Sequence, residues 1–145
     1  MRIVVQEAPF DYGAECDGFA TGRTDVGAVV TFAGLVRSDA DLDRMEIEHY
    51  PGMTESALTA IAEEAARRWS LQDVLVIHRV GPMRPGERIM MVATAAPHRR
   101  DAFEAADYLM DYLKSRAPFW KKEHGPQGVS WVEAKATDED ALSRW

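Results

Sequence analysis

The feature that most restricts how this chain folds is a change of hydrophobic period that happens twice. RMEIEHY alternates Met45, Ile47 and His49 against Arg44, Glu46, Glu48 and Tyr50, the two-residue period of a half-buried strand, and Pro51 and Gly52 close it. From Thr54 to Trp69 the repeat is helical, with Leu58, Ile61, Ala62, Ala65 and Trp69 on one stripe. Thr54 is the expected N-cap, and Glu63 with Arg67 and Glu64 with Arg68 stand at i,i+4 in the favourable order. DVLVIHRVG and ERIMMVATAA return to strand character, with GPMRPG as the tight connection of an antiparallel hairpin. A second helix is expected from about His98 to Ser115, burying Ala102, Phe103, Ala106, Leu109, Met110 and Leu113 and ended by Pro118. MRIVVQ and the segment 27–37 supply strands before these elements. FWKKE and VSWVEAK around the turn HGPQG supply two after them, followed by a short helix in DEDALSRW. Hairpins mixed with helical crossovers predict an α+β fold, a largely antiparallel sheet packed with helices in a single domain over 1–145.

The 145 residues suffice for one core without disulfides or a structural metal. No apolar run approaches the ~20 residues a bilayer crossing needs, and MRIVVQEAPF lacks the pattern of a secretory signal, so a cytoplasmic location is expected. One cysteine, Cys16, forms neither an internal disulfide nor a zinc site, and it reads as an inert small side chain. A net charge of -7 argues against nucleic-acid or anionic-membrane binding. Positive charge is nevertheless concentrated locally: between Pro97 and Lys122 six cations face four anions, which leaves -9 for the other residues.

Within that segment PHRRD places Arg99 and Arg100 at a helix N-terminus, where the backbone already carries partial positive charge. Either an anion docks there, taking backbone N–H bonds and a guanidinium together, or Asp101 neutralises the turn and both arginines face water. Lys114, three residues after Asp111 near the helix C-terminus, reads as an ion-paired, dipole-compensating lysine or as an amine dehydrated for proton exchange or nucleophilic attack. In APFWKKE one of Phe119 and Trp120 must face inward, putting Lys121 beside an aromatic wall suited to a flat phosphorylated heterocycle; an edge strand guarded by lysines is the plainer account. His49 and His78 belong to strands as packed side chains, and no histidine has metal-site spacing.

GAVVTFAGLVR, EHYPGMTE, VIHRVG, PHRRDAFEA and MDYLKSRAPFWKKE, in this order, resemble the family of large, catalytic molybdopterin synthase subunits, from Val4 to Trp145. The resemblance implies an α/β hammerhead fold and a homodimer that binds two small ubiquitin-like subunits as a heterotetramer. Each small subunit would end in a Gly-Gly thiocarboxylate that donates sulfur to cyclic pyranopterin monophosphate, two transfers building the dithiolene of molybdopterin. It implies catalytic roles for Lys114, where the thiocarboxylate tail enters, and for Lys121, which orients or protonates the pterin. Arg37, His98 and Arg99 match anion-binding positions, with Phe32 and Met110 lining the pocket. Lys135 stands where an arginine reaching the neighbouring subunit's site is expected, Arg100 where a small residue is common, and the loop SDADLD after Arg37 is short and acidic for the family. No cofactor or metal is implied: sulfur arrives on the partner and molybdenum at a later step. A nucleotide- or RNA-binding module and a docking partner without chemistry are the other readings the residues leave open.

Overall fold

The computed structural model describes residues 1–38, 41–133 and 135–145. Strand β1 (Arg2–Gln6) and a short helix α1 (Tyr12–Gly18) precede β2 (Ala28–Leu35) and β3 (Arg44–His49). Helix α2 (Met53–Trp69) leads to β4 (Asp73–Arg79), β5 (Gly81–Met83) and β6 (Arg88–Ala96). Helix α3 (Arg99–Ser115), β7 (Phe119–Gly125), β8 (Gly128–Trp131) and α4 (Ala136–Ala141) follow, with a 3₁₀ turn over Leu142–Arg144. The α+β expectation holds, but the strands divide into two four-stranded sheets, β1-β4-β6-β2 and β5-β3-β7-β8, rather than one. Among the described residues, only β1 and β4 pair in parallel.

The first sheet is apolar on both faces. Val74, Val76, Met90 and Val92 meet Leu58, Ala62, Ala65, Leu109 and Leu113 of α2 and α3. Leu75, Ile77, Met91 and Ala93 point to the opposite face, where Tyr12, Cys16 and Phe19 of the α1 region cover them. Cys16 is thus a packing residue, as its sequence context implied. The second sheet continues the core through Met45, Ile47 and Met83, with Val36 and Val80. Phe119 packs against the helical core and against this second cluster, so it joins the two sheets.

Five local expectations change. Thr54 is not the N-cap: Gly52 holds that place at φ 83, its N–H donates to Glu55 Oε2 at 2.7 Å, and the buried Thr54 hydroxyl donates back to the Tyr50 carbonyl at 2.8 Å. Glu64, rather than Glu63, serves both Arg67 and Arg68. β4 and β6 do pair antiparallel, Asp73 opposite Ala95, yet their connection contains β5, which leaves for the second sheet and pairs with β3. Phe103 is 61% exposed, because the buried stripe of α3 runs through Ala102, Ala105, Ala106, Leu109 and Leu113 and Phe103 lies off it. The last predicted strand also stops early, at Trp131.

Candidate functional site

Helix α3 carries the candidate residues at its two ends, and each end is fixed by a different neighbour. At the N-terminal end Gly27 donates its N–H to the Ala96 carbonyl, and a side chain there would collide with the Pro97 carbonyl, so the chain enters the helix along one path. His98 is the N-cap, without a capping side-chain bond, and both His98 and Arg99 are exposed. The two arginines then separate. Arg100 donates to Glu104 Oε1 at 2.9 Å, whereas Arg99 forms no ion pair among the described residues.

At the C-terminal end Lys114 is exposed, and Asp111, which would account for it structurally, is bound instead by Arg144 and by Trp145 Nε1 at 2.5 and 2.6 Å. The turn that follows sends β7 back beside β3. Register places Phe119 opposite His49 and Lys121 opposite the buried Ile47, so Phe119, Lys121 and Glu123 share the inner face, and Trp120 and Lys122 the outer one. Of the two aromatic residues, Phe119 is therefore the inward one. It stacks on the buried His78 ring at 3.8 Å and an interplanar angle of 16°. Trp120 instead meets Tyr50 edge-on in the outer layer.

Lys121 is half-buried, and that burial pushes its amine below the ordinary lysine range; the nearby ammonium groups of Lys114 and Lys135 push the same way, against Asp138 and Glu123. Three lysines separated in sequence thus meet around one end of α3. Behind them His78 is brought down to about 4, chiefly by burial, with Lys121 and His49 adding to the effect and its Nδ1 contact to the Arg79 carbonyl at 2.8 Å opposing it. A neutral imidazole and a phenyl ring thereby back the amine, and its burial favours the uncharged form.

The remaining sequence candidates are placed as follows. Arg37 is exposed and directly follows the buried Val36 at the end of β2. Within the loop after it, residues 39 and 40 lie outside the described residues. Phe32 is 41% exposed on β2, opposite Val92, and Met110 is half-buried against the helical core. Lys135 is the exposed N-cap of α4. His98 and Arg99 do not meet Lys114 within one chain: fifteen residues of helix at ~1.5 Å each put the two ends about 22 Å apart. Sequence reasoning missed Glu123 and Asp138, the two anions that act on Lys121; for Glu123 the two-residue alternation of β7 was the available signal. Among the described residues no group of three or more His, Cys, Asp or Glu could hold a metal, and no helix is long and apolar enough to cross a membrane.

A family model described as "MoaE protein" matches residues 5–116. The chain belongs to the MoaE family. A MoaE relative from Cereibacter sphaeroides, named molybdopterin synthase catalytic subunit, is 63% identical over 146 residues, covering 100% of each chain. The molybdopterin biosynthesis MoaE protein of Burkholderia ambifaria superposes with a TM-score of 0.86 at 50% identity, over 99% of this chain and 97% of that one. A chain from the complex of subunits 1 and 2 of the Helicobacter pylori molybdopterin-converting factor has the same fold, with a TM-score of 0.79 at 15% identity over 92% and 91% of the two chains.

Proposed function

We propose that this protein is the catalytic subunit of a molybdopterin synthase, a sulfurtransferase of molybdenum cofactor biosynthesis. One observation carries the mechanistic reading: the half-buried Lys121, with a lowered pKa, stands beside Lys114 and Lys135 at the end of a helix whose other end presents Arg99, which forms no ion pair among the described residues. The substrate is cyclic pyranopterin monophosphate. Its ring lies along the apolar wall and its phosphate meets the cations. The sulfur donor is the Gly-Gly thiocarboxylate of a small ubiquitin-like subunit, whose tail reaches Lys114. In each of two transfers the thiocarboxylate sulfur bonds to a pterin side-chain carbon as a C–O bond at that carbon breaks, and water then hydrolyses the acyl C–S bond, leaving sulfur on the pterin and a carboxylate on the small subunit. Lys114 and Lys121 move the protons these steps require, worth on the order of 10² to 10⁴ in rate. Arg37, Arg99 and His98 hold anionic oxygens, Phe32 and Met110 line the site, and Lys135 adds charge. The complex from Helicobacter pylori supports a small-subunit partner. A single-domain subunit over 1–145 working in the cytoplasm completes the reading.

The separation of about 22 Å along α3 favours a site completed by two copies of the chain, Lys114 and Lys121 from one and His98 and Arg99 from the other. That geometry requires a homodimer, and with one small subunit at each site a heterotetramer. Complementation tests it directly. Subunits carrying Lys114→Ala are denatured together with subunits carrying Arg99→Ala, refolded, and assayed for dithiolene formation with the thiocarboxylated small subunit and the pterin. Each variant alone should be nearly inactive, and the mixture should recover about a quarter of wild-type activity, because half the two-fold dimers contain one intact site of two. A mixture no more active than its parts would rule out the shared site.

A further inference from the structure

The residues after α4 fold back onto α3 and occupy two of its carboxylates. Asp107, Asp111 and Lys114 stand at i, i+4 and i+7, so they share one face of the helix. Arg144 bridges the two aspartates, Nη1 donating to Asp107 Oδ2 at 3.0 Å and Nη2 to Asp111 Oδ2 at 2.5 Å. The same Asp111 oxygen accepts the Trp145 indole N–H at 2.6 Å, and the Asp111 side chain is only 13% exposed. This turn is itself well anchored. The Trp145 ring meets Trp69 and Tyr108 edge-on at 5.5 and 5.6 Å, Arg68 donates to the Trp145 carbonyl at 3.1 Å, and Glu139 of α4 pairs with Arg116 at 2.7 Å.

A lysine three residues after an aspartate on a helix ordinarily pairs with it. Here the aspartate is turned away, and Lys114 forms no ion pair among the described residues. We propose that Arg144 and Trp145 are positioning residues that withhold Asp111 from Lys114, keeping its amine uncommitted for the incoming carbonyl and anionic substrate. The inference rests on the reading of Lys114 as the reacting amine. Its physical content, competition for one carboxylate, is measurable without the reaction. The arrangement also explains why Lys135 and Asp138 reach Lys121: the segment that carries them is tied down at its far end by the same contacts.

The test measures acetylation of Lys114 in the full chain by an N-hydroxysuccinimide ester, read by mass spectrometry against Lys122, whose amine is paired with Glu48 at 2.8 Å. Arg144→Gln should slow Lys114 acetylation about twofold, the scale of one exposed helical ion pair, and Trp145→Phe should act in the same direction. Adding Asp111→Asn to Arg144→Gln should restore the wild-type rate, while Asp111→Asn alone should leave it unchanged. An unchanged rate in Arg144→Gln overturns the inference. So does a slowing that Asp111→Asn does not reverse, because the two residues would then only hold the fold. Should Trp145→Phe unfold the chain, Lys122 acetylation rises as well, and Arg144→Gln with its Asp111→Asn rescue decides alone. Full sulfur transfer by Lys114→Ala would instead reject the proposed function and leave the acetylation result intact.

Discussion

The two ends of α3 both present cations, but in opposite physical settings. At the N-terminal end Arg99 adds charge where the helix backbone is already positive, stands in solvent, and has no carboxylate partner among the described residues. At the C-terminal end Lys114 agrees with the dipole, and the conflict arises from crowding at its neighbour, since Lys114 and Lys135 both act on the half-buried Lys121. The first arrangement suits a fixed positive charge that waits for an anion. The second suits an amine that changes protonation state. The difference in residue type follows: a guanidinium stays charged and grips two oxygens at once, while an ammonium loses its proton readily when dehydrated.

Exchanging the residue types should break this comparison with the largest effect. Lys114→Arg keeps the charge and removes the exchangeable proton, so kcat for dithiolene formation should fall by ~10² to 10⁴ with partner binding retained. Arg99→Lys keeps the charge and loses the two-point grip, so KM for the pterin should rise about tenfold, ~1.4 kcal/mol, with kcat little changed. Steady-state kinetics of both variants decide the matter. Near-normal kcat in Lys114→Arg would show that this end, too, is only a charge.

The wall behind the C-terminal end offers a second test, through stability. His78 sits near 4 in the folded chain against an ordinary 6.5, so between these values the unfolded chain binds the additional proton. The contribution of His78 is therefore present above about 6.5 and lost as the pH falls towards about 4, by roughly 3 kcal/mol over the window. His78→Phe keeps an aromatic partner for Phe119 and has no proton to bind. Denaturant unfolding across this range should show a shallower acid loss in the variant by that amount. Parallel curves would mean that His78 is hydrated and that the wall is open to water.

How much of this was visible in the chain depends on the range of the forces involved. α3 was legible nearly to the residue because its apolar stripe is long and both stops are local, the extended His98 and the downstream Pro118. β5 was not, because GPM looks like a turn and becomes a strand only through pairing with β3, whose Ile47 stands opposite Gly81, 34 residues onward, in a second sheet. Thr54 had the chemistry of a cap, but the chain bends at Gly52, whose positive φ no threonine adopts comfortably. In the site, Lys114 and Lys121 were flagged by composition and singled out by family resemblance alone. Nothing in their spacing shows that Asp111 is taken by Arg144, more than thirty residues onward, or that Asp138 acts on Lys121. Those are tertiary facts about a helix and the segment that folds back over it.

The smallest effect, and the sharpest contrast between the ends, concerns the cost of holding the charges in place. Half-burying Lys121 beside two other lysines opposes folding, whereas the exposed Arg99 costs the fold almost nothing. Lys121→Met preserves length and apolar packing against Phe119 and Ile47 while removing the charge, so it should stabilise the chain by ~1 kcal/mol and abolish turnover. Arg99→Met should leave stability within about 0.5 kcal/mol of wild type, as surface substitutions usually do, and still impair substrate binding. Urea midpoints for the two variants at pH 7 measure the difference. A destabilised Lys121→Met would mean that Glu123 and Asp138 more than offset the burial, making the lysine part of a satisfied ionic network and leaving its lowered affinity for a proton without a cause.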